Sequence, residues 1–152
     1  MKWIIAREFS ELQGKEVYDL LKLRQDVFII EQNCIYEDID GLDFNSEHLL
    51  LYSDDGELLA CCRIVPAGEK LQSVSIGRVV SNPEHRGAGY GRKMMQRAID
   101  LLREQKIHEV EIEAQTYLLE FYRSFGFKEY GKPYPIDDIP HILMKAKISK
   151  KR

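Results

Sequence analysis

A glycine-rich segment between a predicted strand and a predicted helix is the first place where residue types and spacing indicate chemistry. Glycine lets a backbone approach a ligand closely, and the N–H groups at the start of a helix attract anions. Lys93 and Arg97 add positive charge to the first turns of this helix, where Asp or Glu would ordinarily be favoured. We therefore predict a local site for a polyanion. The segment consists of Arg86, Gly87, Ala88, Gly89, Tyr90, Gly91 and Arg92.

The residue types and glycine spacing of the segment disfavour two common phosphate-binding motifs. A P-loop ends in Gly-Lys-Ser/Thr, whereas this chain has Gly91-Arg92-Lys93-Met94. A dinucleotide-binding fingerprint has the spacing GxGxxG in a first βαβ unit, but the spacing here is GxGxG and no such unit opens the chain. A glycine-rich turn that only starts a helix remains the simplest alternative.

Two motifs in this chain resemble those of the GNAT N-acetyltransferases. The pattern R-x-x-G-x-G after a β-branched strand is similar to the acetyl-CoA pyrophosphate loop of that family. Residues 121–127, with the sequence FYRSFGF, are similar to its FYxxxGF segment and follow in the same order. Further short matches over nearly the whole chain resemble the ElaA-like branch of the family. They are Leu23 to Phe28, Glu31-Gln32, Cys34, Tyr36, Ile76 to Val79, Ala114-Gln115 and Ile139 to His141.

The resemblance implies acyl transfer from acetyl-CoA, as cosubstrate, to an amine, and it implies roles for the residues that match the cofactor site. Residues 86–92 would hold the pyrophosphate. Backbone groups of Val79, Val80 and Ser81 would contact the pantetheine arm and the acyl carbonyl, although Ser81 stands where the branch more often has Val. Gln115 stands where many relatives have Asn, so it would bond the pantetheine arm unless it only caps its strand.

Transfer to an amine requires three roles: a base, an oxyanion donor and an acid for the departing thiolate. The base is needed because an alkyl amine with a pKa of about 10 is mostly charged at pH 7. By resemblance, Tyr122 would be the acid, and its alternative role is aromatic packing. A backbone N–H of Val79 or Val80 would stabilise the oxyanion.

Four side chains are candidates for the base. His141 follows a proline at the start of a predicted strand, and histidine changes its charge near neutral pH. A lone histidine is more often structural, so carboxylates acting through water stay open as alternatives. These carboxylates are Glu31, Asp40 and Glu113.

An acidic segment and two isolated arginines indicate further polar interactions. The loop from Glu37 to Asp43 would favour a cationic amine or a lysine-bearing peptide if it faced the acceptor, and a solvated loop is the alternative. Arg24 and Arg78 lie among apolar residues, where they could form ion pairs or bind a substrate carboxylate. The three cysteines and four histidines show no compact metal-binding spacing, so we predict no metal site.

The hydrophobic pattern predicts the elements that would position these residues. Apolar residues three and four apart predict a helix up to Phe28, and Ser10 and Gln13 have capping-box spacing. Strand, helix and strand alternate beside a hairpin. We expect an α/β fold, a single GNAT-like domain with a mixed, mostly antiparallel sheet and helices on both faces. Strands are predicted at 48–52, 57–65, 74–81, 109–114 and 141–148, and further helices at 89–105 and 117–125.

Size, charge and cysteine usage limit the classes to which the protein can belong. Its 152 residues, 44% hydrophobic and 31% charged, fit one domain over 1–152. A net charge of −3 gives no basic field for nucleic acid. We take the basic residues in 145–152 as a solvated terminus, with contact to an acidic partner as the alternative. No apolar run could cross a bilayer, and three cysteines, two of them adjacent, are unlike a secreted framework. We expect a cytoplasmic protein without membrane or nucleic-acid partners, and leave a homodimer open.

Three functions are compatible with these features. The first is an N-acetyltransferase that moves the acetyl group of acetyl-CoA directly to a primary amine of a small molecule or peptide. The second is a non-catalytic acyl-CoA sensor or interaction module that has the cofactor-binding loop but does not turn over. The third is an enzyme similar to acyl-homoserine-lactone synthases, but the S-adenosylmethionine site those enzymes need is not recognisable. Tyr122 beside an intact loop favours the first function.

Overall fold

Seven strands form one sheet in the computed structural model, which describes residues 1–148. They are β1 (Lys2–Ala6), β2 (Glu47–Tyr52), β3 (Leu58–Val65), β4 (Val74–Ser81), β5 (Glu109–Gln115), β6 (Lys128–Ile136) and β7 (Ile139–Lys147). Their order across the sheet is β1-β2-β3-β4-β5-β7-β6, and every neighbouring pair is antiparallel except β4 and β5. The predicted mixed, mostly antiparallel sheet is confirmed.

Three α-helices connect the strands: α1 (Gly14–Arg24), α2 (Tyr90–Glu104) and α3 (Leu119–Arg123). A π-helical segment, Gln25–Glu31, continues directly from α1. The predicted capping at Ser10 is wrong, because α1 begins later and the backbone N–H of Gln13 donates to Glu16 Oε1 at 2.7 Å. Among residues 1–148, no helix is long and apolar enough to cross a membrane. Four residues of the predicted basic terminus, 149–152, lie outside the described part.

The helices cover both faces of the sheet, as predicted, and each face has its own core. Helix α2 packs on one face through Met94, Met95, Ala98 and Ile99, all almost completely buried. Helix α1 packs on the other face, where Leu20 joins a smaller core with residues of β2, β3 and β4. Burying one such apolar side chain contributes about 1.5–3 kcal/mol, so both cores fix the position of β4 between them.

Strands β1 and β6, the two edge strands of the sheet, were not predicted from the sequence. The segment of β1 has only five residues, so its hydrophobic pattern is too short to indicate a strand. It pairs only with β2. In β6, Gly131, Pro133 and Pro135 are residues that ordinarily argue against a strand. They are accommodated because β6 is an edge strand whose register to β7 shifts between Tyr130 and Tyr134.

Strand β4 contains a bulge that changes which face its side chains occupy. Arg78 has a φ of +50°, and the register to β3 shifts between Cys61 and Arg63. As a result Ile76 belongs to the core under α2, whereas Val80 belongs to the core under α1. Without a bulge, two residues four positions apart in a strand would share a face. The bulge therefore lies directly before Val79, where the predicted acyl contacts begin.

Candidate active site

A cleft of about 690 Å³ opens where β4 and β5 separate. The two parallel strands pair only at Val74–Val110 and Ser75–Glu111, so their carboxyl-terminal halves diverge. Backbone groups that would otherwise bond the neighbouring strand are thereby available to a ligand. Ten of the predicted site residues line this cleft. They are Val79, Val80, Ser81, Arg86, Gln115, Tyr122, His141 and the three candidate carboxylate bases, Glu31, Asp40 and Glu113.

The glycine-rich loop follows Arg86 at the edge of the cleft, but residues 87–92 are not part of its wall. Gly87 and Gly89 have φ values of +89° and +79°, a left-handed conformation that glycine adopts without strain. Helix α2 begins directly after Gly89, so its first N–H groups have no partner within the helix. The loop therefore has the backbone geometry of an anion site beside the cleft.

Two arginines predicted to bind the cofactor have partners of their own in this structure. Arg86 Nη2 lies 2.5 Å from Glu31 Oε1, an ion pair that joins the loop to the π-helical segment. The guanidinium of Arg92 lies over the ring of Phe125 at 4.9 Å from its centroid and donates to Ser124 Oγ at 3.1 Å. A phosphate would thus compete with Glu31 for Arg86, whereas Arg92 is held against α3.

Tyr122 lies on α3 with its ring packed among aromatic side chains and its side chain at the cleft. Its ring meets those of Phe121 and Phe127 edge-on, with centroids 5.1 and 6.3 Å away. Burial raises the pKa of Tyr122 to about 12, so the phenol stays protonated through neutral pH. Among residues 1–148 its hydroxyl has no hydrogen-bond partner. The predicted packing alternative is real, and it leaves the hydroxyl available as a donor.

His141 lies at the start of β7, opposite Gln115 of β5, and lines the cleft. Its Nδ1 is 2.6 Å from the carbonyl oxygen of Ile139. A carbonyl oxygen only accepts, so Nδ1 carries the hydrogen of this contact, and in the neutral ring Nε2 has the lone pair. The arrangement orients the ring as a proton acceptor.

A pair of glutamine amides spans the cleft. Gln32 Nε2 donates to Gln115 Oε1 at 3.2 Å, and Gln115 Nε2 donates to Gln32 Oε1 at 3.3 Å. Gln32 follows the π-helical segment, so the pair joins that segment to the end of β5. A pantetheine arm passing between the strands would exchange amide hydrogen bonds with this pair.

The three alternative carboxylate bases all have partners. Asp40 is a poor proton acceptor: burial alone would raise its pKa, but hydrogen bonds from Arg63 and the Leu42 backbone outweigh burial and hold the pKa well below its usual range. Glu31 is paired with Arg86, as described above. Glu113 accepts a hydrogen bond from Tyr134 at 2.6 Å and lies 3.5 Å from Lys70 Nζ.

The acidic loop Glu37–Asp43 is not simply solvated, which corrects that interpretation: its aspartates are paired, whereas Glu37 is exposed and lines the cleft. Three of its aspartates face three arginines in a charge-balanced network beside the cleft. Arg24, 1% exposed, bonds Asp38 at 2.9 Å and Asp43 at 2.8 Å. Arg63 bonds Asp40 at 2.7 Å. Arg24 thus forms structural ion pairs rather than a substrate site.

Because of this network, the stability of the fold should depend on pH. Lowering the pH from 5 to about 2 should sharply lower the urea concentration at which half of the protein is unfolded. Burial would raise the pKa of Asp43, but hydrogen bonds and charges from Arg24 and Arg63 lower it, as for Asp40. Carboxylates with lowered folded pKa values stabilise the fold above the unfolded value, about 3.9, and lose this effect as pH falls. Circular dichroism at fixed urea steps measures it, and a midpoint that stays level down to pH 2 would contradict this account.

Sequence reasoning missed several residues of the cleft wall. Arg63 was detectable in principle, because an arginine inside an entirely buried strand needs partners. Gln32 belongs to one of the short matches, but its contact with Gln115, 83 positions away, was not predictable. Lys70 gave no signal, since its partner Glu113 is 43 positions away. Outside the cleft, Glu57, Glu84 and His85 bring potential metal ligands within 4.8 Å of one another at the surface. The absence of a metal site stays a prediction.

Comparison with known proteins gives matches over most of the chain. Residues 14–127 match the model of the acetyltransferase (GNAT) family. Protein ElaA of Escherichia coli is 39% identical over 142 residues, which cover 91% of this chain and 92% of that protein. The crystal structure of E. coli ElaA superposes with a TM-score of 0.86 over 96% of this chain and 99% of that chain, at 37% identity.

Two further solved structures are informative about activity and fold. An acyl-CoA N-acyltransferase from Pseudomonas aeruginosa superposes with a TM-score of 0.87 at 37% identity, over 96% of this chain and 99% of that chain. A CoA-dependent acyl-homoserine lactone synthase reaches a TM-score of 0.76 at 16% identity, over 97% of this chain and 82% of that chain. The second likeness concerns the fold alone.

Proposed function

Because this chain belongs to the GNAT acetyltransferase family and its ElaA-like branch, we propose that it moves an acetyl group from acetyl-CoA directly to a primary amine of a small molecule or peptide. Family membership establishes the coarser statement, an acyltransferase with acyl-CoA as cosubstrate. The acetyl group and the amine are the proposal. One observation carries it: the divergence of β4 and β5 brings the predicted backbone contacts, acid and base to one cleft.

In this proposal the cosubstrate lies along the cleft with its pyrophosphate at the glycine-rich loop. The first N–H groups of α2, together with Gly87 to Gly91, bind the phosphates, and Arg86 exchanges Glu31 for a phosphate oxygen. The pantetheine arm bonds Gln115 and the free backbone of Val79 to Ser81. Arg92 supports the loop by packing on Phe125 rather than by reaching the cleft.

The chemical step divides among three groups. His141 Nε2 takes a proton from the incoming ammonium group, which leaves a neutral amine to attack the acetyl carbonyl. The N–H of Val79 or Val80 donates to the oxygen on which negative charge develops. The protonated hydroxyl of Tyr122 gives a proton to the departing thiolate. No covalent enzyme intermediate is needed.

A glycine variant tests the cosubstrate site. Gly89→Glu is expected to weaken acetyl-CoA binding at least about tenfold in calorimetric titration, because a carboxylate at the start of α2 repels the phosphates. Gly56→Glu is the matched control: Gly56 also has a positive φ, +81°, and lies in the β2–β3 turn. It should bind acetyl-CoA as the unmodified protein does. Absence of binding by the unmodified protein would refute the proposed function.

The sensor alternative predicts binding without turnover, and release of free CoA thiol in the presence of amines separates it from the enzyme. No observation favours it over catalysis, since the candidate acid and base both line the cleft. Similarity to acyl-homoserine-lactone synthases is confined to the fold. Cytoplasmic location and a homodimer stay predictions, and sedimentation velocity measures the second directly.

A further inference from the structure

The cleft extends beyond the residues assigned to acetyl-CoA, over the backbone of Gly77 in β4. The conformation of Gly77 does not require glycine, because its φ lies outside the left-handed region. A Cβ built at Gly77 would meet no atom within 4 Å. The missing side chain therefore leaves open space in the wall of the cleft, next to the bulge at Arg78.

Polar groups flank this space on both sides. Gly77 lies opposite Arg63 of β3. On the other side, continuing the register from Ser75–Glu111 by two residues places Glu113 level with Gly77, across the gap between the diverging strands. Arg78 and Lys70 also line this part of the cleft. The walls of the space thus include both cationic and anionic groups.

Arg78 keeps unused hydrogen-bond donors in the cleft. Its Nε lies 2.9 Å from Asp38 Oδ1, and its Nη2 makes long bonds of 3.3 Å to the Asp38 carbonyl and 3.4 Å to Asp40 Oδ2. Within residues 1–148, nothing accepts a hydrogen bond from Nη1. The side chain is 18% exposed, whereas that of Arg24 is 1% exposed. A guanidinium with a free nitrogen matches a carboxylate oxygen.

We propose that the space over Gly77 is the acceptor subsite and that Arg78 Nη1 binds a carboxylate on the acceptor. This inference rests on the proposed function. Arg78 directly precedes Val79, the residue proposed to bind the acyl carbonyl, and both line the same cleft. One small acceptor can therefore present its amine to the acyl carbonyl and its carboxylate to Arg78. The simplest class that carries both groups is an α-amino acid.

The reaction of such an acceptor balances without a further reagent. The amine nitrogen forms a bond to the acetyl carbon, and the carbon–sulfur bond of acetyl-CoA breaks. The ammonium group loses two protons in all: the first goes to His141 before attack, and the second leaves the nitrogen of the tetrahedral intermediate to solvent. Tyr122 gives one proton to sulfur and regains one from solvent, while His141 releases its proton to solvent. The products are an N-acetyl amino acid, CoA and one proton.

Matched pairs of acceptors test the carboxylate with the unmodified protein. Phenylalanine is compared with 2-phenylethylamine, and lysine with 1,5-diaminopentane, by the release of CoA thiol. We expect kcat/KM to be at least about tenfold higher for the amino acid of each pair, since a lost charge-assisted hydrogen bond of about 1.5–3 kcal/mol corresponds to that factor. Equal rates, or a preference for the amines without carboxylate, would overturn the inference.

The rival class is a polyamine, which the exposed carboxylates of the same cleft, Glu37 and Asp137, would attract. A preference for 1,5-diaminopentane over lysine identifies that class and leaves the proposed function intact. If acetyl-CoA does not bind at all, the proposed function and this inference fail together. Failure of the acceptor inference alone and failure of the proposed function therefore give different experimental results.

Substitution of Gly77 tests where the acceptor lies. Gly77→Ala and Gly77→Val add one and three carbon atoms to the open space and meet no atom within 4 Å at Cβ, so both should fold. We expect the KM for the preferred amino acid to rise about fivefold for Ala and more for Val, with unchanged affinity for acetyl-CoA in calorimetry. Gly14→Ala, also without neighbours within 4 Å, is the control. An unchanged KM in both Gly77 variants would place the acceptor elsewhere.

Discussion

Replacing Tyr122 by Phe is expected to lower kcat about 100-fold while leaving the affinity for acetyl-CoA unchanged. The substitution removes one oxygen atom from a ring that packs edge-on against Phe121 and Phe127, so the fold should tolerate it. That oxygen has no hydrogen-bond partner among residues 1–148, and burial raises the pKa of the phenol to about 12. A protonated hydroxyl without a protein partner is available to donate its proton to a ligand.

Two measurements separate loss of the acid from general damage. Thiol release gives kcat, and calorimetric titration gives the dissociation constant for acetyl-CoA. Tyr117→Phe is the matched control, because Tyr117 lines the same cleft but its side chain is 71% exposed. If Tyr122→Phe turns over at the rate of the unmodified protein, Tyr122 has only a packing role, as the sequence analysis left open.

Replacing Arg24 by Met is expected to lower the free energy of unfolding by about 3–5 kcal/mol. Methionine keeps much of the length of arginine but removes the charge that compensates Asp38 and Asp43. Both carboxylates would then be buried next to the remaining arginines, with fewer hydrogen bonds than carboxylates need. Urea unfolding followed by circular dichroism gives the free energy.

Lys22→Met on the same helix is the control for the loss of a charge from α1. Lys22 lies 2.7 Å from Asp26, but its side chain is 57% exposed, so its ion pair is screened by solvent. The urea midpoint of Lys22→Met should match that of the unmodified protein. If Arg24→Met is as stable as this control, the network of arginines and aspartates does not hold the loop.

The central part of the fold could be predicted from sequence because its signals are local. Three features show this: the turn at Asp54-Asp55-Gly56, the β-branched run of β4 and the apolar face of α2. Each is contained in one short segment of the sequence. The site residues stay a prediction, and two short motifs carry most of them. The structure then brought Gln115, Tyr122 and His141 to one cleft with the end of β4.

What could not be predicted depends on distant partners. The acidic loop looked solvated in sequence because Arg24, Arg63 and Arg78, which neutralise it, come from α1, β3 and β4. Asp40 looked like a base until its pairing with Arg63 was known. Strand β6 carries residues that disfavour strands everywhere except at an edge, and its edge position is a property of the whole sheet.

That edge position has a consequence for the behaviour of the protein at high concentration. A free strand edge offers N–H and carbonyl groups to a second molecule and can start intermolecular β-pairing. In β6, Pro133 and Pro135 have no N–H to offer, while Lys128 and Lys132 place charge along the same strand. An approaching strand would find too few donors and would have to desolvate ammonium groups. The irregular β6 edge thus disfavours β-pairing with a second molecule at this end of the sheet.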